Sequence, residues 1–418
     1  MSRSRARRLM LVVLSTLAAL GAVVALAAGL AHWRLSARPY RGPVSDHFDG
    51  ERFHNLEPVA DKSFRDILRW RMEGGAEPWP GWTPSEPGPA PARRVADGGV
   101  RVTLVNHATL LVQMDGVNIL TDPVWSERVS PFPWFGPRRQ RAPGVRFEDL
   151  PPLDAVLVSH NHYDHLDVPT LRRLAEREPV PFVVGLGNGE YLARFGVAAA
   201  GGRTNGSEAM VRVLEADARA RAVEGDARAR VVEVDWGDTL ELGGGVRILA
   251  LPARHWSART SWDRARTLWC SYVIEGPSGR VYVAGDTGYG GHFAAIGAAY
   301  GPFRLALLPI GAFLPRWFMR DSHVAPHETV RAAQELRAGT SVVMHYGTFA
   351  LGDDGPTTPL DSLRAALDEL GADAPPVVVL EHGVGYDVAP SAAEASASGA
   401  ASADPSPASR FAPPVPPG

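Results

Sequence analysis

The chain has 418 residues, 45% of them apolar and 21% charged, which is the balance of a globular protein with enough length for a substantial core. Its 43 Lys and Arg face 46 Asp and Glu, giving a net charge of −3, so a strongly basic nucleic-acid-binding surface is excluded as its main business. Cys270 is the single cysteine, which excludes an intramolecular disulfide and leaves the compartment open.

Residues 1–8 form a basic flank carrying Arg3, Arg5, Arg7 and Arg8. Residues 9–31 follow as an uncharged apolar run. A membrane-spanning helix needs about 20 such residues, whereas a signal-peptide core has about 7–15. The length predicts an uncleaved single-pass anchor, and the small residues of ALAAGLA at 25–31 leave cleavage open. The four arginines before the run outweigh Arg34, Arg38 and Arg41 after it, a bias toward a cytoplasmic N-terminus with the main domain outside. Residues 32–97 are rich in Pro, Gly and Trp and read as a linker and wrap-around segment with one short helix near Ser63–Met72.

From 98 to 388, short β-branched runs alternate with amphipathic stretches at Val168–Glu176, Pro326–Arg337 and Leu360–Leu370, which is the pattern of an α/β domain. Within it, DARARAVE at 217–224 is nearly repeated as DARARVVE at 226–233, too briefly to mean a repeat architecture, and it reads as an insertion. The tail from 389 to 418 is Ala, Ser and Pro, a composition that predicts disorder.

The densest chemistry lies at His160, His162, Asp164 and His165, in Ser159-His160-Asn161-His162-Tyr163-Asp164-His165. Imidazole and carboxylate are the donors favoured by zinc and other first-row metals. The apolar run Ala155–Val158 before the cluster reads as a buried strand, and Asp167-Val168-Pro169 after it as a helix start. The cluster therefore falls on a strand-to-helix loop, where ligand sites form in open α/β sheets. Three more strands end on donor side chains: Val246–Leu251 before His255, Arg280–Ala284 before Asp286, and Ser341–Met344 before His345. Singly, each has an ordinary reading as a loop or turn residue. Their coincidence with the His-rich loop points to one metal site.

The HxHxDH cluster with His255, Asp286 and His345 resembles the metallo-β-lactamase superfamily. The longer strings HNHYDHLD, AGDTGY and MHYGTF are similar to the branch of N-acylphosphatidylethanolamine-hydrolysing phospholipase D and its bacterial relatives, over roughly residues 98–388; sugar-lactone hydrolases share much of the pattern. The resemblance implies a four-layer αβ/βα sandwich with the site at the edge where two sheets meet. It implies that His160, His162 and His255 hold one zinc, that Asp164, His165 and His345 hold a second, and that Asp286 bridges both. Iron and manganese accept similar donors. The chemistry implied is hydrolysis of N-acylated or related phospholipids by a metal-bridging hydroxide, releasing phosphatidic acid. Neither a G-x-S-x-G elbow nor a Walker-type loop is present to supply another mechanism. Two other readings stay open: a lactonase or esterase with the same site, and an envelope-associated regulatory protein.

His323, in Arg320–Pro326, stands in a context that in the resembled family faces the substrate, with a helix-capping loop led by Ser322 or Asp321 as the plain alternative. Asp167 is placed either to orient a ligating imidazole or to cap the helix that follows. His107 is expected to pack near the metal loop, and His327 and His382 are ordinary. Two apolar, Arg-flanked stretches, Pro131–Phe135 and Phe313–Met319, suit either a lipid-touching surface or a pocket wall. The expected partners are a phospholipid or other small ester and the membrane; oligomeric state is left open.

Overall fold

The computed structural model describes residues 3–96, 98–197, 199–203 and 230–390. Apart from residues 230–233, the near-duplication lies outside the described residues, and so does the tail beyond 390.

The chain begins with helix α1 (Arg3–Leu35), which extends the apolar run through both of its flanks. The apolar part of α1 is long enough to cross a membrane and is not buried against the rest of the protein. After it, α2 (Phe64–Glu73) starts where a reciprocal cap allows: Asp66 N–H donates to Ser63 Oγ, and Ser63 N–H donates to the Asp66 carboxylate. Ser63 is thus the cap and not the first helical residue. The segment between these helices is not a free linker. Tyr40, Phe48 and Phe53 are buried in the main core, and His47 reaches Asp235 at 2.8 Å.

The domain proper is built from two sheets. The first uses β1 (Val100–Asn106), β2 (Thr109–Met114), β3 (Val117–Thr121), β4 (Ala155–Val158), β5 (Pro181–Gly185), β6 (Ala199–Arg203), β7 (Arg230–Val234) and β15 (Gly385–Asp387), in the order β15-β1-β2-β3-β4-β5-β7-β6. The second uses β8 (Thr239–Glu241), β9 (Arg247–Leu251), β10 (Ser271–Gly276), β11 (Gly279–Val283), β12 (Leu305–Pro309), β13 (Ser341–Met344) and β14 (Val377–Val378), in the order β14-β13-β12-β11-β10-β9-β8.

Strand periodicity divides the side chains between two packing layers. In β4, Ala155 and Leu157 face the core between the sheets, whereas Val156 and Val158 face the outer layer. There they meet Leu171 and Leu174 of α3 (Val168–Arg177) and Tyr191 and Leu192 of α4 (Asn188–Arg194). Because both faces are covered, β2 and β4 are buried along their whole length, and β4 is continuously apolar rather than alternating. The second sheet is covered by α5 (His292–Tyr300), α7 (Pro326–Glu335) and α8 (Thr358–Leu370), with α7 packed on β12 and against both neighbouring helices. Between α5 and α7 lies the short α6 (Arg316–Met319). The result is the helix–sheet–sheet–helix arrangement of the metallo-β-lactamase fold.

Strand direction positions the site. In the second sheet β9, β11, β12 and β13 run the same way, since β9 and β11 are each antiparallel to β10 while β11, β12 and β13 are parallel. His255, Asp286 and His345 therefore leave their strands at one edge of the sheet.

Candidate metal centre

The loop after β4 is fixed before any metal is considered. Asp122, one residue past β3, accepts from Ser159 N–H and Ser159 Oγ, each at 2.7 Å. The same carboxylate lies 2.8 Å from His165 Nδ1 and so turns that imidazole's Nε2 inward. Cys270 N–H donates to Ser159 O, tying this loop to the second sheet. Opposite it, Gly285 has φ +60 and a Cβ there would sit 2.6 Å from Ser159 Cβ, so only glycine lets the Asp286 turn approach so closely.

All seven residues singled out by the motifs converge. His160 Nε2 and His162 Nδ1 are 2.7 Å apart, and His255 Nε2 is 3.3 Å from His162 Nδ1. Asp164 Oδ2 is 3.3 Å from both His165 Nε2 and His345 Nε2. Asp286 stands between these groups: its Oδ2 is 3.2 Å from His165 Nε2 and 3.9 Å from His255 Nε2, and its Oδ1 is 3.1 Å from His345 Nε2. His323 Nδ1 lies 3.8 Å from the same Oδ2. Donor atoms thus gather within ion-binding reach as His160–His162–His255 on one side and as Asp164–His165–His345 together with His107 on the other, with Asp286 touching both.

Charge argues that this donor set is made for cations. Asp164 and Asp286 are buried, and among the described residues their ion partners are all histidines. Burial would raise both carboxyls, but His165 and its neighbours outweigh it and hold them well below the ordinary range. Burial likewise opposes a proton on His165 and His345, yet Asp286 and Asp164 keep His165 well above its ordinary value and His345 up at about 9. Burial and neighbouring imidazoles push His160 and His255 well down, and burial leads in taking His162 to about 3. Several atoms that face the cluster also have no hydrogen-bond partner: His165 Nε2, His345 Nε2 and Asp286 Oδ1. Buried polar atoms left unpaired are costly, and cations would satisfy all of them.

The surroundings correct two expectations. Asp167 touches no imidazole: its oxygens accept from Ser126 N–H, Ser126 Oγ and Thr170 Oγ1, holding the start of α3. The imidazole-orienting carboxylate is Asp122, which follows an apolar strand just as the metal-donor residues do. Neither Ser322 nor Asp321 caps α7; its cap is Ala325, whose N–H donates to Glu328 at 2.8 Å. Instead Ser322 O lies 2.9 Å from His255 Nδ1, and Asp321 pairs with Lys62. His107 packs beside the loop as expected, but with its Nε2 only 2.9 Å from Asp164 Oδ2 it belongs to the donor cluster's immediate surroundings. No motif points to Arg259. Its buried guanidinium donates to Asn161 O and Leu166 O and lies 3.5 Å from the Tyr163 ring centre, clamping the His-rich loop from behind.

Residues 117–346, more than half of the chain, match the family model of the β-lactamase superfamily domain. The chain belongs to that superfamily. It is a metal-dependent hydrolase, and its His/Asp cluster is one that can bind metal ions. Among relatives of this superfamily member, the N-acyl-phosphatidylethanolamine-hydrolyzing phospholipase D 1 of Caenorhabditis elegans is 36% identical over 65% of this chain and 71% of its own. A metal-dependent hydrolase of Methanopyrus kandleri is 30% identical over 69% of this chain and 100% of its own. A metallo hydrolase of Ignicoccus hospitalis, 22% identical, superposes with a TM-score of 0.45 over 70% of this chain and 99% of its own.

Proposed function

We propose that the protein is a zinc-dependent phosphodiesterase of the phospholipase D type, cleaving N-acylphosphatidylethanolamine-like phospholipids to phosphatidic acid and an N-acylethanolamine. The observation that carries this reading is Asp286 standing between two donor groups. That arrangement suits a pair of ions, and a phosphodiester needs charge stabilised on both the attacking and the leaving oxygen. The substrate class is supported by the 36% identical relative, a phospholipase D that hydrolyses N-acyl-phosphatidylethanolamine.

In this reading His160, His162 and His255 would hold one ion, Asp164, His165 and His345 would hold the other, and Asp286 would serve both. Five imidazoles with two carboxylates is a donor set zinc favours. When bound, the ions supply Lewis acidity toward the phosphoryl oxygens and acidify water near neutral pH. The chain's own residues do the rest. Asp122 and Ser159 lock the ring planes of His165 and His160. Arg259 fixes the loop that bears them. His323, partly exposed beside Asp286, is the catalytic residue that holds a phosphoryl oxygen or returns a proton to the departing N-acylethanolamine oxygen. Trp256, half-buried with its ring 4.3 Å from that of His162, supplies an apolar wall at the rim. The helix α1 anchors the enzyme in the membrane that contains its substrate.

The test is to give metal-analysed, zinc-loaded protein N-acylphosphatidylethanolamine in mixed micelles and to follow phosphatidic acid and N-acylethanolamine. Both products should appear in equal amounts and vanish with chelator. Opening of lactones without phosphatidic acid from the same preparation would replace this reading with the lactonase one.

A further inference from the structure

Helix α1 passes into the domain without an intervening linker. Helix α1 ends at Leu35, and Ser36 and Ala37, the next two residues, are already buried in the domain. Ser36 Oγ is 2.6 Å from Thr260 Oγ1, and Ala37 N–H donates to the Asp263 carboxylate. One turn earlier, His32 Nε2 lies 3.1 Å from Ser261 Oγ and its ring packs at 4.0 Å on Trp262. Arg194 of α4 donates to Ser36 O, and Arg38 pairs with Glu190 on the same helix. Tyr40 N–H then donates to Arg266 O.

The loop so engaged is the one that serves the metal centre. It runs from the donor His255 through Trp256 to Arg266. Asp263, fully buried, accepts from the backbone N–H of Arg259 and Thr260 as well as from Ala37. Arg259 in turn donates to Asn161 O and Leu166 O of the His-rich loop. Two side chains, Asp263 and Arg259, therefore separate the end of the anchor from the donor cluster.

The outer surface at this joint has the composition of a bilayer interface. Trp33 and Trp262 are 63% and 55% exposed on either side of the helix end. Arg34, Arg38 and Arg41, all exposed, lie within eight residues of Trp33 along the chain. Tryptophan rings and snorkelling arginines gather where hydrocarbon gives way to headgroups. A span over residues 9–31 puts His32 and Trp33 at that boundary.

We propose that α1 is a rigid mount, and that its C-terminal turn together with the Trp256–Arg266 loop forms a platform seated on lipid headgroups, holding the metal centre at the surface of the membrane in which the protein is anchored. This rests on reading α1 as a membrane span. The partner is the headgroup layer of the same bilayer, so lipid reaches the site from the protein's own membrane.

The test uses the full chain in phosphatidylcholine–phosphatidylethanolamine vesicles. Cys270 is buried, so a fluorophore can be placed selectively at Trp262→Cys, at Arg41→Cys, which leaves Trp262 intact, or at exposed Asp368→Cys in the opposite helix layer. Headgroup-nitroxide lipid should quench positions 262 and 41 strongly and position 368 not at all. A flexible Gly/Ser insertion between Leu35 and Ser36 should abolish the quenching while the protein still floats with the vesicles. Floating wild-type protein with unquenched 262 and 41, or quenching untouched by the insertion, would overturn the rigid mount. Protein that does not float would overturn the membrane span itself.

Discussion

At the scale of single residues, each donor stands just past an apolar strand, and the ring of His165 is held by a carboxylate from another part of the chain. Asp167 sits two residues after His165, yet the chain has turned into α3 by then, and its carboxylate serves Ser126 and Thr170. Asp122, distant in sequence, is the one within 2.8 Å of His165. Removing a carboxylate that orients a metal-binding imidazole costs about 10–100-fold in metal affinity or activity. We expect Asp122→Ala to weaken metal binding in that range, measured by competition with a chelating dye. Asp167→Ala should lower the melting temperature and leave metal affinity near wild type. Equal losses of affinity in both would show that loop integrity, not ring orientation, sets it. Asp286→Asn addresses the bridging role. An amide cannot carry the charge shared between both donor groups, so the variant should retain fewer ions per chain by elemental analysis and lose hydrolysis. Full metal content in Asp286→Asn would contradict the bridge.

At the scale of elements, β4 and β13 fall where the hydrophobic runs placed them, and the helix expected at Pro326–Arg337 ends earlier, at Glu335. Periodicity sees a buried strand well when both its faces are covered, because the run is continuous. It does not see pairing between distant segments, and this is why residues 32–97 read as linker. Their attachment depends on burying Phe48 and Phe53 and on His47, none of which has a local signature. His47 makes that attachment pH-dependent. Burial opposes its proton, but Asp235 and then Asp46 outweigh burial and raise it above its ordinary 6.5. The Trp236 ring stacked at 4.5 Å adds to the preference for imidazolium. A group raised in the folded state contributes stability that is fully present below its unfolded value and lost as pH rises through its folded value. The melting temperature should therefore fall from mildly acidic toward alkaline pH by more in the wild type than in His47→Gln. Superimposable pH profiles for the two proteins would remove His47 from the account.

At the scale of the molecule, the apolar span of α1 stands clear of the domain, while the residues just after it are part of the domain's packing. The two have separable roles. Among the described residues, deleting 1–31 removes no buried side chain from either sheet's core, and it leaves Ser36 and Ala37 with their partners on Thr260 and Asp263. The truncated protein should accordingly fold, bind the same amount of metal and hydrolyse a water-soluble phosphodiester with unchanged kcat. Its handicap should appear only with lipid in vesicles, where the intact chain meets substrate already concentrated in its own plane and the truncated one must first find the surface. The exposed Phe132, Trp134 and Phe135 give it some residual affinity for that surface, so the expected change is a higher apparent KM and not abolition. Adding the anchor back should restore KM without altering kcat. Equal KM on vesicles with and without α1 would mean that the anchor serves location alone; a fall in kcat on the soluble diester would mean that the helix supports the metal centre through Asp263 and Arg259 even without a membrane.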